Sequence, residues 1–184
     1  MMEIDQAKVT LDEDGSSLII RAMQAADLPA LEWEGAFTHF RVLYQLAYER
    51  MLKGHAICWI ADIPEQSLVG QVFVLLKSRG NRKVADGRKK ARIHSFRVRP
   101  EHQNRGIGAR LMAHAESDLQ ARAFRSISLM VAKDNPGGLR FYERMAYEIV
   151  GEDDGYWNYV DHMGKRRDVY EPSWIMRKFL GPLE

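Results

Sequence analysis

The stretch Val98-Arg99-Pro100-Glu101-His102-Gln103-Asn104-Arg105-Gly106-Ile107-Gly108-Ala109-Arg110-Leu111 constrains this chain more than any other. An apolar strand ends at a proline, which has no N–H with which to continue a ladder. A polar, basic loop follows, and two glycines open a helix. A strand that turns directly into a helix belongs in a mixed α/β domain. The same order leaves backbone N–H groups unpaired at a helix N-terminus, which suits a phosphate group.

The chain has 184 residues, enough for one domain with a full core. A formal net charge of +2 makes it no polyanion binder by charge alone. The lone cysteine, Cys58, lies in the apolar run Ala56–Ala61 and reads as a buried structural thiol, compatible with a reducing compartment. Met1–Gln6 shows no basic start and no apolar h-region, and no apolar run approaches the roughly 20 residues that span a bilayer. The expectation is therefore a cytoplasmic protein without a membrane segment. The histidines His39, His55, His94, His102, His114 and His162 are scattered without paired ligand spacing, so no metal site is expected.

Residues 1–16 are polar and read as a loose N-terminal arm, leaving 17–184 as a single domain. Leu18–Met23 reads as a first strand, and Asp27 as the N-cap of a short helix through Leu28, Leu31 and Trp33. Apolar residues recur at helical spacing from Thr38 to Lys53, where Gly54 ends the helix. Ile57–Ile63 and Leu68–Leu76 read as a hairpin around Pro64–Ser67. The basic stretch Lys77, Arg79, Arg82, Lys83, Arg88, Lys89, Lys90 and Arg92 either extends the hairpin or forms a floppy loop. Alternation along Ile93–Val98 puts Ile93, Ser95 and Arg97 on one face and His94, Phe96 and Val98 on the other. Gly106 to about Ala123 reads as a helix with Ile107, Leu111, Ala115 and Leu119 as its apolar stripe. Ser126–Val131 is a strand, and Asn135-Pro136 opens another helix through Leu139, Phe141, Tyr142 and Met145. Tyr147–Val150 and Trp174–Phe179 are strands, with a long polar and aromatic loop, Glu152–Pro172, between them.

The glycine loop fits neither common nucleotide fingerprint. Leu111 stands where G-x-G-x-x-G needs its third glycine, and the Walker lysine is absent. Gln103-x-x-Gly106-x-Gly108 after Val98-Arg99-Pro100 resembles instead the R/Q-x-x-G-x-G/A signature of the GNAT superfamily of acetyl-CoA-dependent N-acetyltransferases. The downstream order agrees: Ser126–Val131, then Asn135 to Tyr142, then Ala146-Tyr147 where Gly-Phe is usual. The resemblance covers residues 18–180 by element order, with its specific motifs in 93–148. It implies a central mixed, mostly antiparallel, twisted sheet of about seven strands flanked by about four helices. It also implies acetyl transfer from acetyl-CoA to a primary amine of a small molecule or peptide, by direct attack in a ternary complex.

Residue by residue, the resemblance implies that Gln103, Asn104, Arg105, Gly106, Ile107, Gly108, Ala109 and Arg110 hold the pyrophosphate of coenzyme A. Phe96 and Val98 would lie on a strand that splays from its neighbour, with the Val98 N–H facing the thioester oxygen, and Asn135 would contact the pantetheine arm. Tyr142 matches the general acid. His94 stands at the position where a base is often found, with Glu34, His39, Asp153 and Asp154 as other candidates. The acceptor walls would carry Phe37, Phe40, Tyr156 and Trp157, beside Trp33, His39, Tyr44, Asn158, Tyr159, Asp161 and His162. Such an aromatic set, with acids Asp153, Asp154 and Asp161, suits a cationic amine. A second reading is a binding module without turnover, either a coenzyme A sensor or an adaptor whose basic stretch meets RNA or the ribosome. That stretch has no aromatic residues, so stacking on bases is not supported. Proteins of this resemblance commonly form homodimers through a terminal strand.

Overall fold

The computed structural model describes residues 8–11, 17–64 and 66–181. Ten strands and three α-helices occur among them: β1 Lys8–Leu11, β2 Ser17–Ala22, α1 Arg41–Leu52, β3 Ala56–Ile63, β4 Ser67–Leu75, β5 Lys90–Val98, α2 Ile107–Ala121, β6 Ser126–Ala132, α3 Pro136–Arg144, β7 Glu148–Asp153, β8 Tyr156–Val160, β9 Arg166–Tyr170 and β10 Ser173–Phe179. Eight strands form one mixed sheet in the order β1-β2-β3-β4-β5-β6-β10-β7, and β8 and β9 form a separate ribbon. Every neighbouring pair in the large sheet is antiparallel except β5 and β6. A parallel pair needs a crossover, and α2 supplies it.

The sheet separates two apolar cores. Alternation along β3 sends Ile57, Trp59, Ala61 and Ile63 to the α2–α3 side and Cys58 and Ile60 to the α1 side. A strand covered on both faces reads as a continuous apolar run, as Ala56–Ala61 does. On α2, Ile107, Leu111, Ala115 and Leu119 are all buried, as the four-residue spacing predicts. Each buried leucine or isoleucine of that stripe contributes about 1.5–3 kcal/mol. Cys58 is fully buried, and burial pushes its thiol up to about 12, so it packs and does not react.

Four local expectations need correction, and one open alternative is settled. Lys8–Leu11, placed in the loose arm, pairs with β2 as an edge strand; residues 1–7 and 12–16 lie outside the described residues. Asp27 caps no helix from its N-cap position. It ends the 3-10 turn Ala25–Asp27, where its carboxylate accepts the Gln24 N–H and pairs with Arg21 at 2.7 Å. The expected first helix is thus two 3-10 turns, Ala25–Asp27 and Pro29–Glu32. Of the two readings of the Lys77–Arg92 segment, the extended hairpin holds, with Lys77 bridging Asp86 antiparallel, and the floppy loop does not, because the Asp86 carboxylate accepts the N–H groups of Arg88, Lys89 and Lys90, which hold it down to about 2. Glu152–Pro172 is no loop but the β8–β9 ribbon, which a buried Asp161 closes by accepting the N–H groups of Met163 and Lys165.

The last correction bears on the site. The register of β5 against β4 shifts between Phe73 and Gln71, so two residues, Ser95 and Phe96, face one. Ser95 adopts φ 51°, the left-handed conformation of a bulge. The bulge breaks the simple alternation. Ile93 packs in the same core as Phe96 and Val98, on the α2–α3 face, while His94 and Arg97 meet aromatic rings on the α1 face.

Candidate active site

The parallel pair β5–β6 lasts for three residue pairs, Lys90–Arg92 against Ser126–Ser128, and then the strands part. Both strands continue, to Val98 and Ala132, so main-chain groups on the facing edges lack each other as partners. The expected splay is therefore present. On the other side of β5, the Arg99 N–H donates to Val69 C=O at 2.8 Å. Antiparallel bonding alternates, so the N–H and C=O of Val98 point away from β4 and into the gap. The Val98 carbonyl accepts the Gln103 side-chain amide at 3.0 Å.

The loop after β5 leads into α2 through two residues of positive φ, Asn104 at 61° and Gly106 at 76°. Gly106 is the N-cap and offers no side-chain acceptor. The first helical bond runs from Arg110 N–H to Gly106 C=O, so the N–H groups of Ile107, Gly108 and Ala109 precede the ladder. A Cβ on Gly106 would meet nothing within 4 Å, so its conformation is what requires glycine. A Cβ on Gly108 would stand 3.1 Å from Phe96 Cζ and 3.5 Å from Phe141 Cζ. Close aromatic packing is thus one reason for that second glycine, alongside room for an anion. Arg105 lies 3.4 Å from His102 Nδ1 and, like Arg110, is half-buried beside this turn.

Helix α3 brings Tyr142 to the same wall. Asn135 caps the helix by accepting the Gly138 N–H at 2.8 Å, so its Oδ1 has a structural duty. At the other end, Ala146 N–H bonds Glu143 C=O and Tyr147 N–H bonds Tyr142 C=O, a Schellman ending. That ending needs a left-handed residue, and Ala146 takes it at φ 63°, where glycine is usual. Tyr142 is buried among the rings of Phe96, Phe141 and Tyr147, with centroids 6.2, 5.3 and 5.9 Å away. Burial raises its pKa above that of an ordinary phenol, so it stays protonated at neutral pH.

The α1 face of β5 holds a different cluster. The Arg97 guanidinium lies 4.0 Å over the Phe37 ring and 5.1 Å from that of Phe40, and its Nη1 donates to Tyr44 Oη at 2.7 Å. The cation that the aromatic set was expected to receive from a substrate is already present in the chain. Gln71, opposite Arg97 on β4, is fully buried and its Oε1 has no hydrogen-bond partner. His94 packs edge-on against Phe73 at 5.8 Å, with Nδ1 3.2 Å from Ser95 Oγ. Burial, then the charges of Arg50 and Arg92, push its pKa down to about 4. Arg92 donates to Met130 Sδ on β6.

Of the expected acceptor residues, Phe37 and Phe40 meet here, stacked at 6.4 Å. Tyr156 is 76% exposed and stacks on Tyr170, and Trp157 contacts Tyr159. Tyr159 is the ribbon residue that reaches the cluster, 5.0 Å from Phe40 and 6.1 Å from His39. Among the alternative bases, Glu34 is taken by a two-bonded pair with Arg99, and Asp153 accepts the Gly155 N–H. Asp154 is exposed, and Asp161 is committed to the ribbon turn and to Arg167. Arg97 and Gln71 were not singled out from sequence. For Gln71 the available signal was a lone polar residue inside the apolar run Leu68–Leu76, whereas Arg97 is one of several polar residues on β5 and carried no such signal. Among the described residues no group of three or more His, Cys, Asp or Glu is placed to hold a metal ion. No described helix is long and apolar enough to cross a membrane.

Residues 22–147 match the model of the acetyltransferase (GNAT) family, and the chain belongs to that family. An N-acetyltransferase of Methanocaldococcus jannaschii is 36% identical over 61 residues, 33% of this chain and 27% of that one. An acetyltransferase of Pectobacterium atrosepticum is 40% identical over 53 residues, 29% of this chain and 38% of that one. The matched stretch thus spans about a third of the length of these curated relatives. Two solved structures share the fold. Ard1 from Thermoplasma volcanium superposes with a TM-score of 0.67 at 19% identity, covering 88% of this chain and 97% of that one. A spermidine/spermine N-acetyltransferase from Vibrio cholerae gives 0.65 at 17%, covering 89% and 92%.

Proposed function

We propose that this chain is an acetyl-CoA-dependent N-acetyltransferase that acetylates a primary amine by direct attack in a ternary complex. The observation that carries the reading is the β5–β6 gap, opening beside an uncapped α2 N-terminus and walled by Tyr142. The residues present fit the donor. Unpaired strand edges suit the amides of a pantetheine arm, and the N–H groups of Ile107, Gly108 and Ala109 suit a pyrophosphate. Acetyl-CoA, when bound, supplies an acetyl group activated as a thioester.

The chain's own groups then have separate tasks. The Val98 N–H, directed into the gap, donates to the acetyl oxygen as negative charge develops there. The Tyr142 phenol, protonated in its apolar setting, donates toward the departing sulfur. The same burial weakens it as an acid, and the same apolar wall disfavours a bare thiolate, so the two effects offset. His94 is neutral at pH 7 and accepts a proton only as a weak base, because its pKa lies near 4. The reading therefore requires an acceptor amine that binds in its neutral form. The spermidine of the named structural neighbour is not carried over, since Arg97 already occupies the aromatic cluster with positive charge.

Saturating acetyl-CoA should raise the melting temperature, and an amine panel should then release thiol. Tyr142→Phe should lower kcat by about 100-fold with little change in acetyl-CoA affinity. No thermal shift sinks the reading. A shift without thiol release from any amine favours a coenzyme A sensor, and an unchanged kcat in Tyr142→Phe removes that residue from the chemistry.

A further inference from the structure

Among the described residues, arginines with carboxylate partners include Arg21 with Asp27 and Asp62, Arg41 with Glu32, Arg99 with Glu34, Arg122 with Asp118, Arg166 with Asp168 and Arg167 with Asp161. Arg97 is not one of them. Half-buried, it meets a phenol oxygen and two aromatic faces, and no carboxylate among the described residues. A guanidinium withdrawn from water without a counter-charge is costly unless something else completes it. Its plane is held by Phe37 and Phe40, and Tyr44 takes one N–H, which leaves the rest of the donor fork available and oriented.

The position of this group in the strand matters. Arg97 immediately precedes Val98, whose N–H opens into the β5–β6 gap, and successive residues of a strand face opposite sides. A molecule entering from the α1 face toward that N–H therefore passes Arg97. Beside it, Gln71 is the cross-strand partner on β4, fully buried, with an oxygen that accepts no hydrogen bond among the described residues. Cross-strand partners share a face. The two side chains thus set a fixed cation and a buried acceptor side by side on the α1 face, where Tyr159 of the ribbon meets Phe40, the ring that also flanks Arg97. Arg92 lies on the same face of β5, and the nearby Glu32 is already paired with Arg41 and Thr38.

We propose that the acceptor is a small amine that also carries a carboxylate, with Arg97 receiving the carboxylate and Gln71 Oε1 accepting from the amine. The proposal rests on the acetyl-transfer reading, in which Val98 marks the reacting end of the gap. It makes Arg97 a specificity-determining residue. A planar fork against a carboxylate is the geometry arginine serves best, and the surrounding rings fit an apolar or aromatic body.

The test compares L-phenylalanine and L-leucine with their amides and their decarboxylated amines, by thiol release with acetyl-CoA. The free acids should show kcat/KM at least 10-fold above the other members. Amine basicity works against this result, because the amide's ammonium loses its proton more easily. In Arg97→Gln the acid-to-amide ratio should fall to within threefold of one. Should that variant fail to fold, Arg97→Lys is read instead, and the ratio should fall at least threefold because the fork is lost. Equal use of acids and amides by the native chain, or an unchanged ratio in the variants, overturns the proposal while leaving acetyl transfer standing. If no amine releases thiol, the transfer reading has failed and binding decides the subsite. N-acetyl-L-phenylalanine should then shift amide resonances of the protein without coenzyme A at least 10-fold more tightly than its amide does. Equal affinity overturns the subsite as well.

Discussion

The two faces of β5 are built from different ranges of sequence. The α2–α3 face, proposed to hold the donor, is assembled from residues that follow one another: Phe96, Val98, the Gln103–Arg110 turn and then Tyr142. The α1 face, proposed to hold the acceptor, gathers Phe37, Tyr44, Gln71, Arg97 and Tyr159 from five separate segments. Local chemistry dictates the first. Tertiary packing, with one bulge and one ribbon, creates the second. A family can therefore keep its donor site in a short motif while the acceptor site changes with distant residues.

The ribbon is the sharpest place to break the comparison. Gly155 begins it at φ 79°, and a Cβ there would stand 2.1 Å from the Glu171 carbonyl carbon and 2.3 Å from Pro172 N. Both neighbours are backbone, which cannot rotate aside. Gly155→Ala should cost about 3 kcal/mol in urea denaturation, through overpacking and left-handed strain together. Its acceptor KM should rise, because Tyr159 no longer meets Phe40. The melting increment given by acetyl-CoA should persist. A lost increment would show that the two faces are mechanically linked, and the division proposed here would fail.

Acid separates the faces by a different route. Tyr142 on the donor face does not titrate between pH 4 and 8, whereas His94 on the acceptor face is held well below the ordinary histidine value, at about 4. An unfolded His94 takes up a proton below about 6.5, and the folded one does so only near 4. The contribution is therefore fully present above pH 6.5 and is lost as pH falls through that window. The loss should reach about 2 kcal/mol between pH 7 and pH 5. Denaturation at the two pH values should show this drop in the native chain and a much smaller one in His94→Gln. The same slope in both would mean that His94 is not held neutral by its surroundings.

What could be read from the sequence follows this division. The strand, the Gly106–Gly108 turn, the α2 stripe and the Asn135 cap are local, and each was legible because a short-range rule fixes it. The face of His94 was not. Alternation grouped it with Phe96 and Val98, and the bulge at Ser95 reversed that grouping by adding one residue on β5. No residue type in Ile93–Val98 announces a bulge, since serine is not glycine and the run is otherwise regular. The aromatic walls were legible as a set but not as contacts. Tyr156 and Tyr159 look alike in sequence, and strand alternation in the ribbon turns one outward and the other onto Phe40. The cation of the cluster was hidden by the bulge as well, because alternation grouped Arg97 with Ile93 and Ser95, and the extra residue on β5 turns it to the α1 face with His94.

The smallest expected effect sharpens the donor side. Ala146 holds the left-handed position that closes α3, between the Tyr142 carbonyl and the Tyr147 N–H that bonds it. An alanine there meets its own carbonyl oxygen more closely than a glycine would, at a cost of about 1 kcal/mol. Glycine adds some freedom to the unfolded chain, which returns part of the gain. Ala146→Gly should still raise stability by about 0.5 kcal/mol and the melting temperature by about 1–2 °C. The gain should appear without acetyl-CoA and leave the ligand-induced increment unchanged, because the Schellman bonds already position Tyr142. A destabilised variant would mean that the Ala146 methyl group packs productively. A larger ligand increment would mean that the helix ending moves when the donor binds, and Tyr142 would then be positioned by the ligand as well as by the fold.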